Sequence, residues 1–344
     1  MEDVYVQLVV PLGHPDSENH PMEFYCWLPL DEADRIRFDD ADRSLTLSIV
    51  SDRSDSAASV PANAPVWSVI ADVTVRNLPD EVIAGIKIPP DYSHIHDLEF
   101  LENNPHIRLA KETVQYVIDR VNRLLSYVRN HRGQYMLTEI PPMHHSVTSS
   151  LLKLKAKIRV GESEWKSWRP PGGVLQWTAK GYRGDRERII NKEDWPEIQR
   201  AVTSNERPNL VRELLAGAEA LAYEGHRRAA ITEAVTALEV AIHRFATNPN
   251  KDVLATARCH VTGGESLKKQ VEHMGLTGSV RYLLPVIVTE SKVPTELLQS
   301  CSAALDLRNN VVHNGQRDVD EERLTSAIVS IRQLSLTLEN FITK

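Results

Sequence analysis

In the first part of the chain, apolar residues recur at every second position in short runs. "VYVQLVV" (Val4–Val10), "MEFYCWLPL" (Met22–Leu30), "SLTLSIV" (Ser44–Val50), "VWSVIADVTV" (Val66–Val75) and "IAGIKIP" (Ile83–Pro89) are rich in β-branched and aromatic residues. That spacing predicts half-buried β-strands. "SDRSDSAASVPANAP" (Ser51–Pro65) is small and polar and predicts a loop. A period near 3.6 then takes over. Val114, Ile118, Val121, Leu125 and Val128 predict one helix over roughly 110–130. Strand-like runs return at "YMLTEI", "LLKLKAKIRV" and "GGVLQWTAKGY", and "KEDWPEIQRAV" predicts a short helix.

Beyond Asn205 the helical period persists. Leu210, Leu214, Leu215, Ala218, Leu221 and Ala222 line one helix, with Asn209 as its cap and Gly225 as its stop. Ile231, Ala234, Leu238, Ile242 and Phe245 line the next. The short link between the two predicts an antiparallel hairpin. A less regular stretch, 247–293, holds "TGGES" and the apolar "VRYLLPVIV". Two further helices follow, one from Pro294 and one through Leu324, Ile328, Ile331, Leu334, Leu338 and Phe341. Asp318 or Asp320 can cap the second, and Gly315 can end the first. The expected fold is α+β and multidomain. Residues 1–205 form a β-rich domain with an embedded helix, and residues 206–344 form four principal helices with an insertion between the second and third.

Composition narrows the classes. Of 344 residues, 42% are hydrophobic and 25% charged, as in globular proteins. No apolar run is long enough to span a bilayer. The N-terminal stretch has acids where a signal peptide needs lysine or arginine, so a cytoplasmic location without membrane association is expected. Net charge is −7, which argues against coating nucleic acid through bulk charge. Residues 206–344 hold 16 Lys and Arg against 17 Asp and Glu, so the first part carries −6 of the −7. The three cysteines, Cys26, Cys259 and Cys301, are far apart and make neither a disulfide framework nor a C-x-x-C knuckle.

"LDLRNNVVHNG" (Leu305–Gly315) carries the candidate chemistry. Arg308 follows Cys301 by nearly two turns, so it ends the apolar stripe of Leu297, Leu298, Cys301, Ala304 and Leu305. A permanent charge there needs a partner or a solvated cleft. His313 lies about 140° around an ideal helix from Arg308. Bringing the two together is expected to require a helix end that unwinds or tightens, or a second protomer. The residues alone leave a structural reading open, in which Arg308 pairs with Glu239 or Asp306 while His313 and Asn314 cap the helix.

"LRNNVVHNG" resembles the R-x4-6-H signature of the HEPN superfamily. The upstream "LAYEGHRRAAITEAVTALEVAIHRF" is similar to that family's first helical hairpin, in its Apea-like bacterial branch, with Ala237–Leu238–Glu239 as its "ALE" element. The resemblance covers roughly residues 206–344. It implies a four-helix fold, a homodimer formed through the bundle, and metal-independent RNA cleavage without a cofactor, as in toxins and anti-phage defence effectors. Arg308, Asn309 and His313 match the catalytic motif, with Glu239 and Asn314 in supporting positions. The 247–293 connection departs from a compact bundle. The chemistry suits these residues. The RNA's own 2′-hydroxyl can attack phosphorus, a histidine can move the proton and an arginine can hold the phosphate. The alternative is a catalytically silent module for dimerisation or for nucleotide or RNA binding.

For the β-rich domain the expected role is to sense a phage- or nucleotide-derived trigger or to select RNA. Its candidate contacts are Trp165, Trp168 and Arg169 in "SEWKSWRPPGGVLQW", where aromatics and cations alternate; a strand in a sheet explains them equally. "HIH" (His94–His96) and His144–His145 lack metal-ligand spacing and read as loop histidines. The paired glycines of "TGGES" and "RPPGGV" read as turns.

Overall fold

The alternating runs of the first part close into an antiparallel sheet, and the helical periods of the second become a bundle. The computed structural model describes residues 2–12, 24–27, 31–50, 63–66, 68–87, 104–135, 137, 139–140, 144–145, 155–168, 173–174, 189–204, 209–254 and 264–342. The chain divides into two compact units, Met1–Arg207 and Pro208–Lys344. The architecture is mixed α+β.

In the first unit the strands are β1 (Val4–Pro11), β2 (Phe24–Trp27), β3 (Ile36–Asp39), β4 (Arg43–Val50), β5 (Asn63–Val66), β6 (Ser68–Val75), β7 (His144–His145), β8 (Lys155–Val160), β9 (Lys166–Trp168) and β10 (Gly173–Val174). Six of them form one sheet in the order β3-β4-β6-β1-β8-β9; β2 pairs with β5, and β7 with β10. Register follows from burial. Val4, Val6 and Leu8 of β1 lie opposite Val75, Val73 and Ala71 of β6, and all six are buried. Tyr5, Gln7 and Val9 point to the other face and are half-buried. A one-residue slip would send every apolar side chain to that second face, so the pattern pins the pairing.

Three helices complete this core: α1 (Asp80–Lys87), α2 (Pro105–Arg132) and α3 (Trp195–Thr203). Val114, Val117, Ile118, Val121, Leu124, Leu125 and Val128 of α2 join the inward residues of the sheet in one cluster with Trp195, Ile198 and Val202 of α3. Trp195 donates its indole N–H to the Asp34 carbonyl at 2.6 Å, which anchors α3 beside β3. On the outer side, Tyr116 of α2 donates to Asp40 at 2.8 Å, and Arg120 reaches the same carboxylate at 3.1 Å.

Several sequence expectations need correction. His144–His145, expected in a loop, and Gly173 of "RPPGGV", expected in a turn, pair as strands β7 and β10. "IAGIKIP" belongs to helix α1 in its described residues, not to a strand. Val82 and Ile83 both donate backbone N–H to the Pro79 carbonyl, and Asp80 and Glu81 occupy the positive first turn. Val82, Ile83 and Ile86 then share one buried side. "YMLTEI" has no strand among its described residues. Ile140 instead takes both backbone bonds from Asn122, whose amide accepts at 2.7 Å and donates at 2.8 Å in the manner of a neighbouring peptide. Asn63–Pro65, expected in a loop, lie in β5; the pairing with β2 is non-local and local composition cannot announce it. The expectations for Ser51–Ala62, His94–His96, Cys259 and most of "GGVLQWTAKGY" lie outside the described residues.

The second unit contains α4 (Leu210–Tyr223), α5 (Arg227–Thr247), α6 (Gly264–Gly278), a π-turn at Ser279–Leu283, α7 (Leu284–Ile287), α8 (Thr295–His313) and α9 (Glu321–Asn340). Four long helices, α4, α5, α8 and α9, pack as a bundle. In its described residues the 247–293 connection is largely helical, with Gly275 at φ +66° breaking α6. Helix α5 buries Ala230, Ala234, Ala237 and Ala241 beside Ile231, Leu238, Ile242 and Phe245. Small side chains on successive turns let neighbouring helices approach closely. Asn209 caps α4 at the Val211 N–H and donates to Glu339 at 2.5 Å, and Arg244 reaches Glu339 at 3.1 Å. That cluster ties the start of α4 to the ends of α5 and α9. Among the described residues no helix is long and apolar enough to cross a membrane.

Two measurements check this packing. Asn122→Ala leaves the Ile140 N–H and carbonyl without their partner, and it should destabilise the first unit by about 1–3 kcal/mol in urea unfolding. Burial, followed by the hydrogen bond to Asp40, pushes the Tyr116 phenol up to about 12 from its ordinary 10.0. A raised folded value means a stabilisation that is complete below the unfolded value and lost as pH rises through about 12. Absorbance titration at the phenolate band should show one late-ionising tyrosine that is missing in Tyr116→Phe.

Candidate functional site

Helix α8 begins after Pro294 and buries Leu297, Leu298, Cys301, Ala304, Leu305, Leu307 and Val311. Burial pushes the Cys301 thiol up to about 12, and its S–H donates to the Ser330 carbonyl at 3.4 Å. Cys301 is therefore an inert packing residue.

The end of α8 stays helical through His313, without the unwinding that was one of the ways to bring Arg308 and His313 together. Two side chains and a glycine hold it. Asn314 donates its side-chain amide to the Asn310 side chain at 2.8 Å. The Gln316 N–H closes on the Asn310 carbonyl at 3.0 Å, while Gly315 takes φ +67° to turn the chain. Asparagine and valine are poor helix formers. Here these local bonds and the burial of Val311 outweigh that weakness.

Arg308 and His313 nevertheless meet. The arginine Nη1 lies 3.4 Å from the His313 Nε2 and donates to the Asn309 Oδ1 at 3.2 Å. The reach comes from the side chain and needs no backbone distortion. Five residues rise about 7.5 Å along a helix, and an extended arginine laid toward the C-terminus spans that gap. A guanidinium only donates, so this contact takes a neutral imidazole with its lone pair on Nε2.

Arg308 is half-buried, and His313 is exposed. Arg308 has no carboxylate partner among the described residues, and its buried Nε has no hydrogen-bond partner. Asp306, one of the partners considered from sequence, instead receives the Arg281 Nη2 on both oxygens at 2.7 Å. Glu239, the other, is exposed. It lines an open groove of about 560 Å³ with Val240, His243, Arg244, Lys268 and Ile342, and no residue of α8 is in that lining. Thus Arg308, Asn309 and His313 come together, Asn314 supports the helix end, and Glu239 belongs to a different surface.

The N-terminal candidates separate. Trp168 faces inward on β9 and is buried in the sheet core, so it offers no surface for stacking. Arg169 and Trp177 lie outside the described residues. Trp165 is 41% exposed, and the Arg159 guanidinium sits 4.9 Å from its ring and 4.6 Å from the Tyr5 ring. Sequence reasoning missed Tyr5 and Arg159 as its companions. The available signal was the alternation of Lys155, Lys157 and Arg159 on one face, but the neighbour strand that brings Tyr5 is 150 residues away.

Gly315→Ala tests the helix end. A Cβ there meets no atom within 4 Å, so the backbone alone resists the change. Chemical denaturation should show a loss of about 1–2 kcal/mol, the left-handed penalty of an L-residue. No protein-family model, curated protein or solved structure matches this chain, so its function has to be read from these side chains.

Proposed function

We propose that the C-terminal unit is a metal-independent endoribonuclease of the HEPN type, acting as a homodimer in bacterial anti-phage defence or as a toxin. The observation that carries this reading is the Arg308–His313 contact at 3.4 Å, with an exposed imidazole and a guanidinium that no described carboxylate neutralises. Asp306, the acid two residues before Arg308, lies on the far side of the helix and pairs with Arg281, so it does not neutralise the guanidinium.

The chemistry follows from the geometry. An RNA phosphate entering the site offers charged oxygens, which attract a guanidinium more strongly than a neutral ring nitrogen does. Arg308 turns its N–H groups onto the phosphate, and the His313 Nε2 lone pair is released. That nitrogen then takes the proton of the 2′-hydroxyl. The 2′-oxygen attacks phosphorus, the bond to the 5′-oxygen breaks, and the leaving oxygen is protonated from water. Arg308 offsets the charge that grows on the phosphate oxygens in the transition state. The products are a 2′,3′-cyclic phosphate and a 5′-hydroxyl. Asn309 holds the arginine in reach of His313 before substrate arrives.

A second reading has one observation in its favour. The Arg308, Asn309 and His313 side chains bond to one another, as do Asn310 and Asn314, which is also how a silent helix end would hold itself. Incubating purified protein with single-stranded RNA in EDTA separates the two. The nuclease reading expects cyclic-phosphate ends, no cutting of DNA, and losses of roughly 10²- to 10⁴-fold in His313→Ala and Arg308→Ala. Unimpaired cleavage by His313→Ala would falsify the mechanism.

A further inference from the structure

We infer that the outward face of the N-terminal sheet, at its β1–β8–β9 end, is a platform for single-stranded RNA. Strand pairing brings its parts together. On β8, Lys155, Lys157 and Arg159 alternate with the buried Ala156, Ile158 and Val160, so three cations stand in a row on one face. The antiparallel register sets Arg159 opposite Tyr5, Lys157 opposite Gln7 and Lys155 opposite Val9. Ser167 of β9 flanks Lys157 on the other side. Trp165 stands just before β9, and the Arg159 guanidinium lies between its ring and that of Tyr5. Helices α1, α2 and α3 all belong to the core beneath the opposite face.

Charge identifies the occupant. Lys155, Lys157 and Arg159 have no carboxylate partner among the described residues, and the Arg159 Nε is buried without a hydrogen-bond partner. Of the acids on the same face, Asp72 already accepts the Gln7 amide at 2.8 Å, and Asp39 lies on β3 at the far edge of the sheet. Glu162 and Glu164 follow in the turn and are exposed. A row of unpaired cations attracts a chain of phosphates. Alternate residues of a strand are about 6.6 Å apart, a step that lets neighbouring cations meet neighbouring phosphates. Trp165 supplies a π-face for an unpaired base, and the guanidinium behind it adds a cation to the stack. A duplex hides its base faces, and an acidic peptide has no use for the ring. The choice of RNA over DNA rests on the nuclease reading above; the platform itself does not. The overall charge of −7 opposes any polyanion, so binding here is salt-sensitive and of modest strength.

Fluorescence anisotropy of a short fluorescein-labelled single-stranded RNA tests this. Full-length His313→Ala protein in EDTA keeps the probe intact. Trp165 and Lys157 are exposed, so Trp165→Ala and Lys157→Glu should leave the core packed, which circular dichroism checks. Trp165→Ala is expected to weaken binding roughly tenfold, with Trp165→Phe restoring most of it. Lys157→Glu should also weaken it and lower the salt slope by about 0.7 per lost phosphate contact. Unchanged affinity in both variants overturns the platform, as does absence of RNA binding in the parent. Displacement of the RNA by poly-glutamate with no effect of Trp165→Ala overturns it in favour of an acidic protein partner. Loss of binding in the surface variants beside a wild type that never cleaves RNA upholds the platform and removes the nuclease reading. Cleavage by wild type with unaltered binding in the variants does the reverse.

Discussion

A permanently charged guanidinium held at the end of an apolar helix stripe is the constraint on which the C-terminal site depends. Water cannot fully solvate Arg308, because the group is half-buried and its Nε is enclosed. A carboxylate would relieve the charge, but Asp306, two residues away, lies on the far side of the helix. Arg281, in the π-turn of the 247–293 connection, takes that carboxylate with both oxygens at 2.7 Å. The insertion that looked like a departure from a compact bundle is thus tied to α8 by that ion pair, on the side of the helix away from Arg308. Among the described residues, the side chains that Arg308 meets are those of Asn309 and His313.

The rest of the bundle keeps that arrangement in place. Buried alanines on α5 set close helix spacing, and the Asn209–Glu339–Arg244 cluster ties three helix ends together. Arg332 joins α9 to α4 through Glu219 at 2.9 Å. These ion pairs and the Asn209 bond are partly screened from water, where charges attract more strongly. The short connection from α8 to α9 turns at Gly315, so the position of His313 depends on a backbone conformation that a side chain resists.

In the first unit the governing constraint is the two-residue period of the sheet. Every second residue of β1, β6 and β8 must be apolar to build the core with α2, and this leaves the intervening residues to face outward. The chain places hydroxyls and amides there on β4 and β1, and cations on β8. The outward face is therefore chemically uneven, with a row of three cations on β8. Asp40, Tyr116 and Arg120 tie α2 to the turn between β3 and β4 at the opposite end of the strand order.

Periodicity determined the local elements. The spacing of Val114 to Val128 was enough for α2, and Leu324 to Leu338 for α9, because burying one helix face is a property of neighbouring residues. Alternation likewise marked β1, β4, β6 and β8. Where a partner distant in the chain decides, sequence spacing was silent. Asn63–Pro65 became a strand only through β2, and Ile140 avoided one because Asn122 supplied its hydrogen bonds. The motif residues Arg308, Asn309 and His313 could be named from the sequence. Their contact could not, since ideal helix angles place them apart and only the length of the arginine joins them. The pairing of Asp306 turned on Arg281, and the company of Trp165 turned on the register of β1 against β8. Tertiary structure decided these points, because an ion pair or a ring stack depends on which surfaces meet and not on how residues follow one another.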